Sequence, residues 1–394
     1  MRHRFLSCCF ALAAAAPAAA ATPWSFPDPL RDRLAWVHPL VNYAVDPRWQ
    51  QDWERELARG RGLRTTVGSV TTDDLMTLVQ VNLSEPLAGR WRFLYRLDWQ
   101  DTRHMDVAAQ QHWLGFGAAL VPGLEAELQV HPAAAKEELD LRAGFLVAGG
   151  DRTRYLRLAV RWDDFLYEEK NDRGGLSRAR STGLQGELRW AGGPWELAAE
   201  GHYGSSWART FPDSARSPQV SAAGGRQGGG GARLRFLTGA GSFVQAGLNH
   251  WDFRASEARR DGEDGYAYRN AWLHARALAV MDLSPRVGLR PEFHWLRQWA
   301  TADGRRAFDH RRQDFFPAVF VQWRCGGRTT WELGYMAVHY SWQHAGVDDA
   351  GYTDKVKLGW IFAPTPAARL QLSLSHEVDL DRFGGGNIQY QMLF

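Results

Sequence analysis

The feature that most constrains this chain is a period-two alternation of apolar and polar residues. It starts near residue 61 and runs to the C-terminus. Trp91, Phe93, Tyr95, Leu97 and Trp99 alternate with Arg92, Leu94, Arg96 and Asp98. Leu156, Leu158, Val160 and Trp162 alternate with Arg157, Ala159 and Arg161, and Leu370, Leu372 and Leu374 with Arg369, Gln371 and Ser373. Successive side chains of a β-strand point to opposite faces, so each segment has one apolar and one largely polar face. About eighteen such segments are counted, with sixteen as the alternative. A spanning helix needs about 20 consecutive apolar residues, and none follows residue 21. The alternation reconciles a mean hydropathy of −0.41 with 45% hydrophobic residues.

A soluble β-sandwich alternates too, and the connections separate the two. Short links at Glu85–Gly89, Val121–Gly123, Gly149–Arg152, Ala191–Pro194, Thr238–Ser242, Asp282–Arg286 and Cys325–Arg328 interleave with longer ones. The longer links are Asp101–Gln110, Glu168–Thr182, Ser205–Gly230, Ala255–Tyr266, Ala300–Gln313 and Gln343–Tyr352. A tight link at Thr71–Asp74 departs from the pattern. A transmembrane barrel keeps short turns at one end and long loops at the other, whereas a sandwich has no reason to. Trp91 and Trp99 share a face. Eight residues at about 3.4 Å and a tilt near 40° set them roughly 21 Å apart along the membrane normal, near the spacing of two interfacial aromatic girdles.

The N-terminus reads as a secretory leader over residues 1–21: Arg2 and Arg4, an apolar run Phe5–Ala16, then Pro17 and small residues to a cleavage site near Ala21. Its loss removes two arginines and no acid, lowering the formal charge of +3 by two. Nucleic-acid binding by bulk charge is not indicated. Cys325 is then the one cysteine left, which excludes an intrachain disulfide or a cysteine metal site. Residues 22–60 form a separate periplasmic or plug segment. Within it Asp46 caps a short helix, Pro47 enters its first turn and Gly60 ends it. Trp49, Trp53 and Leu57 share one face, and docking on the barrel base is the preferred position, insertion into the mouth the alternative.

The final strand carries the most specific motif. Ile388, Tyr390, Met392 and the terminal Phe394 alternate with Asn387, Gln389 and Gln391. This resembles the C-terminal signature of Gram-negative outer-membrane β-barrels, which the barrel-assembly machinery reads; Gly386 departs from it. The resemblance is to a porin-like class, not a family. It implies an all-β fold: one antiparallel up-and-down transmembrane barrel over residues 61–394, in the cell outer membrane.

Charges on the polar faces belong in a lumen, because lipid solvates them poorly. The candidate lumen and selectivity residues are Arg92, Arg96, Arg142, Arg157, Arg161, Arg189, Arg233 and Arg235. Their pairs are spaced as a ladder for carboxylates or phosphates. The preferred function is a passive channel for hydrophilic solutes. The alternatives are an export barrel for an anionic exopolysaccharide and a surface-binding barrel with a blocked lumen. Expected partners are outer-membrane lipid and lipopolysaccharide, the assembly machinery, and a hydrophilic solute or polysaccharide. Inner aromatics Trp113, Phe316 and Phe320 pack or stack on sugars. His202 with Ser205 and Ser206 is the nearest catalytic-like cluster but matches no motif, so no enzyme activity, cofactor or metal is expected. The acidic segments Asp261–Gly265 and Asp348–Gly351 read as ordinary turns, and Gly224–Gly231 as a mobile external loop.

Overall fold

A computed structural model describes residues 46–56, 59–69, 75–102, 107–133, 138–167, 182–210, 220–239, 241–259, 266–303, 307–344 and 346–394. The expected leader, Leu57, the turn at Thr71–Asp74 and the acidic segment Asp261–Gly265 lie outside these residues.

Among the described residues one short helix, α1 (Pro47–Glu56), precedes the strands. The first six are β1 (Arg61–Ser69), β2 (Leu75–Pro86), β3 (Trp91–Thr102), β4 (Val107–Val121), β5 (Leu124–Ala133) and β6 (Glu138–Ala148). The next six are β7 (Tyr155–Tyr167), β8 (Thr182–Gly192), β9 (Trp195–Thr210), β10 (Val220–Gly239), β11 (Ser242–Arg259) and β12 (Tyr266–Asp282). The last are β13 (Val287–Ala302), β14 (Phe308–Cys325), β15 (Thr329–His344), β16 (Val347–Thr365), β17 (Ala368–Glu377) and β18 (Arg382–Leu393). Each strand pairs antiparallel with its sequence neighbours, and β1 with β18, so the eighteen strands form one closed ring. Gly62 stands opposite Leu393 and Ser69 opposite Gly386 in the closing ladder. Closure leaves no unpaired edge, which is what a lipid-embedded sheet requires.

The burial pattern is the inverse of a soluble protein. Phe116, Phe145, Leu158, Leu184, Leu358 and Leu374 are all more than half exposed, while Arg235, Arg290, Gln371 and Gln389 are almost wholly buried. The strand pleat sends one residue out and the next in, so the apolar set faces outward and the polar set inward. Exposed apolar side chains on this scale are unfavourable in water and favourable against acyl chains. Ile388, Tyr390, Met392 and Phe394 follow the same rule: Ile388 and Phe394 are exposed, while the intervening Gln389 and Gln391 are buried.

The links Asp101–Gln110, Ser205–Gly230, Ala255–Tyr266 and Ala300–Gln313 are shorter than expected, because β4, β9, β10, β11, β13 and β14 extend into them. Two further sequence expectations change. The glycine run Gly224–Gly231 is not a loop but the middle of β10, paired on both sides with β9 and β11. Backbone pairing with two neighbours overrides weak strand propensity, and the missing side chains make room: a Cβ at Gly231 would collide with the Asn249 side chain. Gln343–Tyr352 is likewise not a long loop. Gly346, at φ 83°, closes a tight turn, and residues 347–352 pair in register within β16. Asp348–Gly351 therefore belong to a strand. Both changes lengthen one side of the barrel. β10 has 20 residues and β16 has 19, against 9 in β1. At about 3.4 Å per residue and a tilt near 40°, the long strands rise roughly 50 Å, about twice the apolar band.

Candidate functional site

The helix forms as its sequence dictates. Asp46 Oδ1 accepts the Arg48 amide at 2.9 Å, and Gly60, at φ 66°, donates its amide to the Glu56 carbonyl. Around Trp49 and Trp53 the helix is polar on every side, with Gln50, Gln51, Asp52, Glu54 and Arg55. It lacks a stripe wide enough to dock on an apolar surface.

Instead it lies inside the short-turn mouth, held by inner-wall side chains from across the ring. From β10, Arg235 and Arg233 reach Glu54 at 2.5 and 2.7 Å. On β9, Glu196 accepts from Gln51 at 2.6 Å and Arg55 at 2.8 Å. Half a ring away, Arg369 on β17 pairs with Asp52 at 2.8 Å, and Gln391 on β18 donates to the Trp49 carbonyl. On β1, Arg64 lies 4.8 Å over the Trp53 ring, and Gly62 lets that ring close in: a Cβ there would lie 2.5 Å from it. Arg48 reaches Asp282 at 2.7 Å, and Asp46 accepts from Gln322 at 3.0 Å. Trp49, Trp53 and Glu54 are buried. Burial raises the Glu54 carboxyl, but Arg235 and Arg233 outweigh it and hold the group well below the usual carboxylate range. Asp46 is lowered in the same way, with Arg48 and Arg290 overcoming burial.

The eight sequence-selected arginines lie on the inner wall, each beside an oxygen partner. Arg96 and Arg157 share Glu187, at 2.6 and 2.7 Å, and Arg157 also meets Glu127 at 3.0 Å. Arg161 pairs with Asp140 at 3.3 Å and Arg189 with Glu196 at 3.2 Å. Arg142 donates to Gln129 and Gln185, and Arg92 to Ser84 Oγ. Arg233 and Arg235 hold the helix. Trp113 is fully buried between Arg142 and Arg161, 4.9 and 5.4 Å from its ring, so it packs as part of the wall. The Arg96–Glu187 pair joins β3 to β8, which are five strand spacings or roughly 24 Å apart along the wall. An arginine and a glutamate extended towards each other do not cover that distance. The wall is therefore folded inward here, and the lumen is pinched.

A second network lines β12 to β16. Arg290 meets Glu292 at 2.7 Å and Glu332 at 3.2 Å, with Phe320 4.2 Å from its guanidinium. Arg276 pairs with Glu292, Lys357 with Glu332, and His274 and His294 stack beside them. Phe316 packs with Leu296 and Val338. Glu54, Asp52 and Glu332 were not among the residues expected to line the lumen. Glu332 was legible from the alternation Trp331, Leu333, Tyr335. The helix acids were not, because nothing local says what they face. His202 lies on the inner face of β9, and Asp348–Gly351 hold no cation-ligating cluster among the described residues.

A closed barrel with an apolar exterior and a charged interior defines the class: this is an outer-membrane-type β-barrel. No protein-family model matches the chain, and no curated protein does. It is similar to a bacterial polysaccharide outer membrane secretin, at TM-score 0.41 and 11% identity over 85% of this chain and 99% of that one. It is also similar to a loop-deletion form of OmpT, an outer membrane protein of Vibrio cholerae, at TM-score 0.39 and 10% identity over 85% and 97%. A third similar structure is the deltaS2 mutant of the TodX monoaromatic hydrocarbon channel, at TM-score 0.33 and 10% identity over 85% and 90%.

Proposed function

We propose that this protein is an outer-membrane channel for hydrophilic solutes whose resting state is closed at the short-turn mouth by α1. The observation that carries the reading is how α1 is held: by ion pairs and amide contacts to a polar wall rather than by an apolar core. Such contacts re-form with water when the helix leaves, so the stopper is removable. The reading is one of transport, not catalysis. The arginine wall is compensated by carboxylates, which fits a mixed-charge passage better than an uninterrupted anion ladder. The test is conductance in planar bilayers. The intact barrel is expected to conduct rarely, and deletion of residues 22–60 to give sustained single-channel currents. Silence of both forms would remove the channel and leave a blocked, surface-binding barrel.

A further inference from the structure

The outer wall carries one feature that the lumen does not explain. Near the long-loop end, arginines point outward on adjacent strands. Arg226 on β10 stands opposite Arg254 on β11, and Arg254 opposite Arg269 on β12. One row nearer the membrane, Trp299 on β13 pairs with Arg311 on β14; in the next, Arg297 pairs with Gln313. Their outward sense follows from the ladder, since Phe253 and Tyr268, beside Arg254 and Arg269, are buried inward. Like charges directly opposed across a sheet repel. Here Asp252 bridges Arg254 and Arg269, at 3.0 and 2.5 Å, and Asp309 meets Arg311 at 2.9 Å. Arg226 and Arg297 have no ion-pair partner among the described residues. Counted from the short turns that begin or end their strands, the five arginines stand roughly 26–36 Å up the wall, just above an apolar band about 25 Å tall. Directly below them runs a row of Trp295, Phe315, His339 and Tyr352. Among the described residues, outward positions at the same end of β3 to β8 carry no arginine.

We propose that this patch binds the phosphorylated glucosamine headgroup of outer-leaflet lipopolysaccharide. The inference rests on the outer-membrane reading above and goes beyond it to a specific site. Guanidinium forks suit phosphate oxygens. Trp299, stacked on His250 at 6.4 Å beside the arginines, offers a flat face for a sugar ring. Height on the wall, at the headgroup level above the apolar band, commits the site to a membrane-anchored phosphate, not a free one. The sugar-facing aromatic commits it to a glycolipid, not a phospholipid.

The test compares the full-length barrel with a variant carrying Arg226→Gln, Arg254→Gln, Arg269→Gln, Arg297→Gln and Arg311→Gln. Both are purified from outer membranes, checked for heat-modifiable mobility, and assayed by native mass spectrometry. The probes are lipid A, dephosphorylated lipid A, phosphatidylglycerol and inorganic phosphate. Lipid A is expected to bind the intact protein and to lose about tenfold or more in the variant, by the per-arginine attraction of anionic lipid surfaces. The other three probes are expected to bind weakly to both. Arg328→Gln, at the short-turn end, serves as the charge control and is expected to bind lipid A normally. Equal lipid A retention by the five-fold variant overturns the site, as does equal binding of phosphatidylglycerol or of dephosphorylated lipid A. Failure of the outer-membrane reading looks different: the intact protein would be missing from the outer membrane before any probe is added.

Discussion

Glu54 sets how firmly the mouth is closed. It sits 2.5 and 2.7 Å from Arg235 and Arg233, and Arg235 is itself buried. Removing one partner of such a cluster leaves buried charge uncompensated, at a cost of roughly 3–5 kcal/mol. Glu54→Ala is therefore expected to undock α1 and raise the open fraction in planar bilayers more than tenfold. Asp309→Ala, on the exposed outer wall, is expected to leave gating unchanged. Gly62→Val should act on the neighbouring helix residue, because a side chain there occupies the space of the Trp53 ring. A closed record from both variants would mean that α1 is not the stopper. The pH response has a definite sign. A carboxylate held below its unfolded value of about 4.3 contributes stability above that value and loses it as pH falls through the lowered one. Glu54 and Asp46 are both lowered. Closure is thus expected to hold from neutral pH to about pH 5 and to weaken only in stronger acid. Opening that begins near pH 6 would point to a histidine instead.

At the scale of single elements, β18 has two duties: its outward residues match the assembly signature, and its backbone closes the ring on β1. Deleting Asn387–Phe394 removes most of that ladder, and Phe394→Asp puts a charge on the lipid-facing side. Both are expected to cut the heat-modifiable barrel in outer membranes several-fold, the deletion more. Undiminished yield after the deletion would contradict the signature. The elements also show what the sequence made legible. The pleat is strictly two-residue, so Arg92, Arg157 and Arg235 could be assigned to a face from their apolar neighbours alone. Their partners could not: Arg96 meets Glu187 only because the wall bends between β3 and β8, and no local pattern encodes that bend. Gly224–Gly231 misled for a related reason. Composition reports how poorly a segment holds a strand alone, whereas β10 is held by pairing on both sides. Helix α1 was legible to its caps, but its place in the mouth depends on carboxylates that only the assembled ring confronts with Arg233, Arg235 and Arg369.

For the molecule as a whole, selectivity follows from the balance of fixed charge on the inner wall. Replacing Arg92, Arg96, Arg157 and Arg161 by Gln leaves Glu127, Asp140 and Glu187 without their main counter-charges. The reversal potential in a salt gradient, measured on the form lacking residues 22–60, is expected to move towards cation preference, because fixed lumenal charge sets local ion concentrations. An unmoved potential would place the conducting path elsewhere in the lumen. The route taken by α1 has a mechanical side as well. An eighteen-strand ring is a thin hoop whose ladders act as hinges, so its easiest deformation is between round and oval. The helix fastens β9 and β10 to β1, β17 and β18, half a circumference away, and so braces the hoop along that diameter. With the brace gone the hoop is free to round out, and rounding pulls β3 away from β8. Departure of the helix and release of the Arg96–Glu187 constriction then become one cooperative event, so conductance should rise in a single step rather than in two.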